Sequence, residues 1–360
     1  MQNKKIKIFL GGYVNYLNAQ NINCRALSEH LDKEKFEIST MLYPIQNARD
    51  FKMTPGVKYF VMKCPVRLHR YALYLKAITE ADIAFLPKWE IDVFCRFVAK
   101  LTGTKVFTTV EGLIDDVNIN LVGLNLRKRK GFINHFAKYE PNLYAITQFI
   151  ATDVARRNGY HFADKILYLG VESGKFLNSG RQYDGLNNIV FIGNTPSIKN
   201  IYDFMDAAKV FPDIKFHIVG GNQLKEGSVE DYISAHGLSN VVYHGRLDHT
   251  ELSELLSKID LMYFPSRSEG FPKVHLETAC AGVPTLCYSD YGAEEWISSW
   301  VNGIVVKTKE EAFEAIAKLK ADPEKLKAMS HSAIELGKKF DWANLVKVWE
   351  EEIERIMTTK

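Results

Sequence analysis

The sequence contains few cysteines, and they are not arranged as a covalent or metal-binding scaffold. There are five in 360 residues, none of them in a CxxC pair: Cys24, Cys64, Cys95, Cys280 and Cys287. An odd number of scattered thiols argues against a disulfide framework and against a zinc site. We therefore expect a reducing, cytoplasmic location and no bound metal.

Long apolar runs are also missing. No stretch approaches the roughly 20 apolar residues that span a bilayer. The opening MQNKKIKIFLGG begins with cations, but its apolar run is too short for a signal peptide and reads as a first strand. Because no recognised nucleic-acid module accompanies the basic runs of the chain, we expect no nucleic-acid partner.

Charge is unevenly distributed. Residues 1–170 carry 25 Lys+Arg against 15 Asp+Glu, whereas the remainder carries 21 against 28. A basic amphipathic helix at 66–78 and the RKRKGF run at 127–132 belong to the basic half. These features indicate either contact with an anionic membrane surface or lipid-linked phosphate, or attraction between domains and solvated charge. For the helix, packing on a sheet is the alternative.

The length and the alternation of elements predict two α/β domains. Strand and helix patterns alternate through residues 1–173, a polar Gly/Ser/Asn-rich segment at 174–187 reads as a linker, and the alternation resumes over 188–340. Residues 341–360 form an amphipathic helix with a stripe of Trp342, Leu345, Val346 and Trp349. The expected fold is two Rossmann-like, doubly wound domains.

The stretch from Leu261 to Tyr288 reads as strand, loop, helix and strand. Glu269 lies in its loop and Glu277 within its helix. The helix start favours a phosphate, because the backbone N–H groups from Gly270 to Val274 would face it. The two carboxylates would then accept hydrogen bonds from sugar hydroxyls. The alternative is a pair of surface glutamates, with Glu277 paired to Lys273.

This stretch resembles a known family. SEGFPKVHLETACAGVPTL is similar to the glutamate-pair motif of retaining glycosyltransferases of family 4, which have the GT-B fold. The resemblance implies two domains facing across a cleft, with the last helix crossing back to the N-terminal domain. It also implies metal-independent transfer of a hexose from a UDP- or GDP-linked sugar to a glycan or lipid-linked acceptor. Such enzymes make cell-surface polysaccharide or lipopolysaccharide, here at the inner face of the plasma membrane.

The resemblance assigns roles to individual residues. Glu277 would bind the ribose, and Glu269 would hold the donor sugar. FIGNTPSIKN resembles the segment that supplies an arginine and a lysine to the donor diphosphate; Lys199 stands at the lysine position and Asn194 at the arginine position. The remaining implied donor-binding residues are Gly11, Gly12, Gly193, Arg267, Gly270, Phe271, Pro272, Lys273, Val274 and Glu295.

The sequence also departs from the family pattern. Glu111 follows a predicted strand where a histidine is usual, so it is a candidate for orienting a hydroxyl or an ordinary strand-end residue. With Glu269 and Lys199 it completes the predicted catalytic set. Gly11 and Gly12 allow close ligand approach or form a simple turn. A nucleotide-sugar epimerase and a nucleotide-sugar-binding protein with little turnover are the alternative functions.

Overall fold

The computed structural model describes residues 4–359 apart from 17, 47–50, 64–66, 88–91, 115–125, 178–183, 195–198, 223, 225 and 226. The chain divides into two compact units, Met1–Leu169 with Trp342–Lys360, and Gly170–Asp341. Ser173–Lys175 forms a 3-10 turn at the start of the predicted linker. Residues 178–183 of that linker lie outside the described residues.

The first unit contains a parallel sheet of six strands, in the order β3-β2-β1-β4-β5-β6. Its strands are β1 (Ile6–Tyr13), β2 (Phe36–Leu42), β3 (Val57–Val61), β4 (Ile83–Phe85), β5 (Lys105–Val110) and β6 (Leu143–Ala145). Its helices include α1 (Ala19–His30), α2 (Arg67–Thr79), α3 (Asp92–Thr102), α4 (Leu126–Ala137) and α5 (Gln148–Asn158). The RKRKGF run lies in α4, and its basic side chains are outside the described part of the chain.

The second unit contains another parallel sheet of six strands, in the order β12-β11-β10-β7-β8-β9. Its strands are β7 (Asn188–Ile192), β8 (Lys215–Val219), β9 (Val241–Gly245), β10 (Leu261–Phe264), β11 (Thr285–Tyr288) and β12 (Gly303–Val306). Its helices include α6 (Ile201–Val210), α7 (Val229–Ala235), α8 (His249–Leu256), α9 (Lys273–Cys280), α10 (Lys309–Ala321) and α11 (Pro323–Lys339).

The two sheets share one topology. In each, the first two strand connections run outward in one direction, and the fourth strand returns to pair with the first: β4 beside β1, and β10 beside β7. The central strands β7, β10 and β11 are almost entirely buried, as expected for parallel strands covered on both faces. In such sheets ligands bind beyond the carboxyl ends of the strands, at the point where the order reverses. The fold therefore provides two candidate positions for a site, one at the carboxyl edge of each sheet.

The last helix, α12 (Trp342–Thr358), belongs to the first unit. Trp342, Val346 and Trp349 are buried along its inner stripe. Trp349 packs edge-on against Phe85 with ring centres 5.6 Å apart, and its Nε1–H donates to the Tyr168 carbonyl at 3.1 Å. This bears out the predicted return of the chain to its N-terminal domain. Within the described residues, no helix has the length and apolarity to cross a bilayer.

Candidate functional site

The ends of β7 and β10 meet where the strand order of the second sheet reverses. Lys199 follows β7 and Glu269 follows β10, and they form an ion pair with 2.5 Å between Nζ and Oε1. The Ser266 hydroxyl donates to the same Oε1 at 2.7 Å, and Lys199 Nζ lies 4.8 Å from the centre of the Phe264 ring. Both contacts use Oε1, and Oε2, which has no such contact with the described residues, is a candidate acceptor for a ligand hydroxyl.

Two glycine turns form the backbone of the same edge. Gly193 has φ of 154° and Gly220 has φ of 140°, a range that side chains rarely adopt. The Gly193 N–H donates to the Val219 carbonyl at 2.8 Å, and the Gly220 N–H donates to the Gly245 carbonyl at 2.7 Å. A Cβ on Gly220 would overlap the Gly193 carbonyl. Hydrogen bonds thus hold the ends of β7, β8 and β9 together, and the glycines allow the turns after β7 and β8 to touch.

Asn194, at the position where the family pattern has arginine, closes one of these turns. Its Oδ1 accepts the Gly221 N–H at 3.0 Å. This hydrogen bond orients the side-chain oxygen toward the protein, and the amide NH2 is the donor that it can offer to a ligand. A neutral amide cannot replace the charge or the planar fork of a guanidinium.

The start of α9 has the features of an anion site. Pro272 precedes Lys273 at the helix start, and no side-chain cap is formed there. The first amides of a helix carry partial positive charge, so an uncapped start favours a phosphate. Gly270 and Val274 are half-buried at this position. Phe271 is buried against Trp296, with ring centres 4.8 Å apart, and so anchors the loop.

Glu277 is half-buried on α9, one turn beyond the helix start. Burial raises the pKa of its carboxyl, and the positive charges of His249, Lys273 and Lys175 oppose that rise. A poorly hydrated carboxylate is stabilised by hydrogen-bond donors that replace the lost water. Sugar hydroxyls are donors of this kind.

Arg267 and Glu295 occupy the rim after β10 and β11. The Arg267 guanidinium donates to Asp290 at 2.9 Å and lies 3.6 Å from the centre of the Tyr288 ring. Its charge is therefore already compensated by a carboxylate. Glu295 ends a short 3-10 turn, Ala293–Glu295, that follows β11.

His275 is a buried residue of this region that the sequence reading did not single out. It accepts a hydrogen bond from Trp296 Nε1 at 3.3 Å, and it packs edge-on against Phe264 at 4.9 Å. Burial, reinforced by the charge of Lys199, lowers the pKa of His275 to about 3. Its Nε2 is buried and has no hydrogen-bond partner among the residues that the structure describes. His275 is thus a buried, uncharged side chain near Lys199. In the sequence, only its place in the KVHLE segment indicated that it belongs to this region.

Gly11 and Gly12 lie inside β1 and not in a turn. A Cβ on Gly12 would come within 2.7 Å of Cys24 Sγ on α1, and one on Gly11 within 3.0 Å of the Phe85 carbonyl oxygen. The simple-turn interpretation is therefore wrong. The neighbouring helix and strand fill the space beside these glycines, and their predicted contact with a donor stays a prediction.

Glu111 directly follows β5, at the carboxyl edge of the first sheet. The Thr109 hydroxyl donates to its Oε1 at 3.1 Å, and Asn23 Nδ2 donates to its Oε2 at 3.0 Å. Asn23 is fully buried on α1. Two neutral donors therefore orient both carboxylate oxygens, and the role of Glu111 toward a hydroxyl stays a prediction. Asn23 was not predicted, because nothing in the sequence places α1 beside the end of β5.

Comparison with known proteins agrees with this geometry. Residues 175–336 match the family model described as Glycosyl transferases group 1. An uncharacterised glycosyltransferase of Methanocaldococcus jannaschii is 28% identical over 192 residues, covering 52% of this chain and 53% of that protein. The alpha-galactosylglucosyldiacylglycerol synthase of Streptococcus pneumoniae is 27% identical over 166 residues, 45% of this chain and 44% of that protein. The chain thus spans about half the length of these curated relatives.

Solved structures match over nearly the whole chain. Sucrose-phosphate synthase from Thermosynechococcus elongatus has a TM-score of 0.80 at 15% identity, covering 99% of this chain and 100% of that one. Anabaena HepE in complex with UDP and glucose has a TM-score of 0.77 at 16% identity, covering 97% and 100%. At this identity the likeness shows the fold alone. The chain therefore contains a Glycosyl transferases group 1 domain and has the GT-B fold.

Proposed function

We propose that this protein is a retaining, metal-independent glycosyltransferase that moves a hexose from a UDP- or GDP-linked sugar to a glycan or lipid-linked acceptor. The observation that carries the proposal is the Lys199–Glu269 pair, 2.5 Å apart at the reversal point of the second sheet. It lies in the chain segment that matches the Glycosyl transferases group 1 model. A cation and an oriented carboxylate beside a helix start suit a ligand that joins a phosphate to a sugar.

Each group then has a role in transfer. Lys199 and the amides at the start of α9 stabilise the diphosphate as negative charge develops on it. Glu277 binds the ribose hydroxyls, and Oε2 of Glu269 accepts a hydroxyl of the donor sugar. The departing phosphate oxygen takes the acceptor proton on the same face of the sugar, so the anomeric configuration is retained. Glu111 orients the acceptor hydroxyl.

The names of related proteins support a cell-surface acceptor. One curated relative is an alpha-galactosylglucosyldiacylglycerol synthase, and one structural neighbour is a lipopolysaccharide outer core galactosyltransferase. The neighbour HepE was crystallised with UDP-glucose. We infer from these that the acceptor is a lipid-linked glycan or lipopolysaccharide and that the donor is a nucleotide hexose.

An apolar and basic face supports work at an anionic membrane. On α3, Val93, Phe97 and Leu101 form a stripe at i, i+4 and i+8, with 71%, 62% and 71% of their surface exposed. Leu68 is 79% exposed on the neighbouring α2, which packs on the sheet through its opposite side. Arg67, Lys76 and Lys100 are exposed on the same two helices. Apolar side chains flanked by cations are typical of surfaces that lie on anionic lipid. We propose a cytoplasmic enzyme at the inner face of the plasma membrane.

A ligand screen tests the proposal. Melting temperatures are measured with UDP, GDP and their hexose conjugates for the wild type, for Glu277→Gln, and for Glu254→Gln as an exposed carboxylate control on α8. A ligand that binds the folded state at 100 times its Kd stabilises it by about 2.7 kcal/mol, which raises the melting temperature.

We expect one nucleotide series to give this rise in the wild type and in Glu254→Gln, and a smaller rise in Glu277→Gln. NMR of the product formed with a lipid-linked acceptor then reads the anomeric configuration. No rise with any nucleotide would contradict the proposal. A rise with no transfer would instead favour the nucleotide-sugar-binding protein.

A further inference from the structure

The missing arginine at position 194 raises the question of which cation meets the second phosphate of the donor. Lys199 and Arg267 are each paired with a carboxylate, Lys199 with Glu269 at 2.5 Å and Arg267 with Asp290 at 2.9 Å. Neither therefore adds uncompensated positive charge. A diphosphate carries more negative charge than one paired lysine and the amides at the start of α9 compensate, so a further cation would strengthen binding.

Arg246 is a third cation at this edge, and it directly follows β9. A Cβ built on Gly221 would lie 2.8 Å from Arg246 Nε and 2.9 Å from Arg246 Nη2, and 2.7 Å from Asn194 Oδ1. The guanidinium and the Asn194 side chain thus converge on the same glycine. No ion pair joins Arg246 to a carboxylate of the described residues, and its side chain is exposed.

The Arg246 guanidinium and Lys199 lie beside two neighbouring turns, those after β8 and β7. Gly193 and Gly220 touch, as described above, and a Cβ on Gly193 would lie 3.9 Å from Lys199 Cε. Lys199 thus adjoins the turn after β7, and Arg246 adjoins the turn after β8. Two cations next to two touching glycine turns match a ligand with two adjacent phosphates.

We infer that Arg246 binds the diphosphate of the donor from the end of β9, in place of the arginine that is absent at position 194. This inference rests on the proposed function and deepens it. The planar guanidinium grips phosphate oxygens with two parallel N–H groups, which Asn194 cannot do. Gly221 is required in this arrangement, since any side chain there would displace the guanidinium.

The competing role for Arg246 is stacking on the nucleobase, because guanidinium groups also stack on aromatic rings. The two roles differ in the ligand that they favour. A phosphate contact strengthens binding of UDP or GDP and leaves the nucleoside unaffected. A base contact strengthens both equally.

The test measures Kd by calorimetry for UDP and GDP, and by ligand-observed NMR for uridine and guanosine. The variants are Arg246→Gln, Arg246→Lys and the double variant Arg246→Gln with Asn194→Arg. Lys215→Gln is the control, because Lys215 is an exposed cation at the opposite end of β8. Melting temperatures establish that each variant is folded.

We expect Arg246→Gln to raise the Kd for the nucleoside diphosphate by about 10- to 100-fold, because a hydrogen bond to a charged group is lost. The Kd of Arg246→Gln for the nucleoside should change by less than about 2-fold. The Kd of Lys215→Gln for the nucleoside diphosphate should also change by less than about 2-fold, as for an ordinary surface substitution. Arg246→Lys should retain part of the affinity, and Asn194→Arg should restore most of it to Arg246→Gln. Unchanged diphosphate affinity in Arg246→Gln, or equal losses for diphosphate and nucleoside, would overturn the inference. If the wild type binds neither UDP nor GDP, the proposed function itself fails.

Discussion

The two sheets have the same strand order but carry different chemistry at their carboxyl edges. In the first unit, the glycines of β1 are covered by Cys24 and by the Phe85 carbonyl, and the polar group at the edge is a carboxylate held by neutral donors. In the second unit, the turns after β7 and β8 contain glycines with φ of 154° and 140°, and Lys199 and Arg246 lie beside these turns.

This difference shows how one topology supports two binding tasks. The strand order determines where a ligand can lie, and the side chains at the edge decide which ligand it is. Glycine turns and cations suit a phosphate, whereas an oriented carboxylate such as Glu111 suits a hydroxyl. The proposed division is a donor edge in the second unit and an acceptor edge in the first.

The largest effect is expected from the cation at the donor edge. Lys199→Ala should lower kcat/KM by about 100- to 1000-fold, since the leaving diphosphate loses a charge that stabilises it in the transition state. Lys215→Ala, at the other end of the same sheet, should retain wild-type kcat/KM. Steady-state kinetics with the donor identified in the ligand screen provide the measurement. If kcat/KM of Lys199→Ala lay within about 3-fold of the wild-type value, the assignment of the donor edge would lose its basis.

The acceptor edge should respond differently. Glu111→Gln should lower kcat by about 10- to 100-fold, as expected when the acceptor hydroxyl loses one hydrogen bond to a charged group, while Kd for the nucleotide is unchanged. Asn23→Ala should give a smaller loss of kcat, because it removes one donor to the carboxylate and leaves the carboxylate itself in place. If Glu111→Gln weakened nucleotide binding instead, the assignment of the two edges would be wrong.

At the donor edge, Glu277 is expected to contribute to nucleotide binding and not to the stability of the fold. Glu277→Gln should weaken nucleotide binding by about 10-fold through a lost ribose hydrogen bond. Its melting temperature should equal or exceed that of the wild type at pH 7, because burial raises the pKa of this carboxyl and so makes its charged form unfavourable in the fold. A large drop in melting temperature would instead indicate a structural ion pair.

A pH effect on stability is expected in the second unit. His217 on β8 and His244 on β9 lie with 3.0 Å between Nδ1 and Nε2, and burial lowers the pKa of His217 to about 4. The unfolded chain therefore binds a proton that the folded chain excludes. This stability is present above pH 6.5 and is lost as pH falls toward 4, by up to about 3 kcal/mol. His217→Gln should flatten this part of the curve of melting temperature against pH; a parallel curve would contradict the assignment.

The smallest effect is expected at the apolar stripe of α3. Replacing Phe97 with Ser should reduce co-sedimentation with vesicles that contain anionic lipid by about 5-fold, because one exposed apolar side chain that is partly buried in the interface contributes about 1 kcal/mol. Val210→Ser, an exposed apolar residue of the second unit, is the control. Neutral vesicles and high salt should weaken binding of the wild type. Equal binding of all variants would exclude this face.

Much of the fold could be predicted from local pattern. The alternation of buried strands with amphipathic helices predicted two α/β domains, and the predicted strands lie where the structure has them, within a few residues. The helix α7 was predicted after the strand that ends at Gly220–Gly221, whereas α10 and α11 were not predicted individually. In α10 and α11, alanines and charged residues interrupt the larger apolar side chains, so their helical period is weak in the sequence.

The candidate site was predictable only in part. Glu269, Lys199 and Glu277 were found because they lie in segments with family-like spacing. Asn23, His275 and Arg246 were missed, since each acts through a neighbour that is distant along the chain: Asn23 through Glu111, His275 through Trp296, and Arg246 through Gly221.

The sequence by itself determined the two α/β domains and the glutamate-pair segment, because hydrophobic period, glycine position and motif spacing act over a few residues. Only the tertiary structure decided which charges are compensated. Lys199 and Glu269 are 70 residues apart in sequence and 2.5 Å apart in space. Arg267, after β10, is paired with Asp290, after β11. Arg246, after β9, lies instead against Gly221 in the turn after β8. Charge pairing depends on distance through the fold, so no local pattern could assign it.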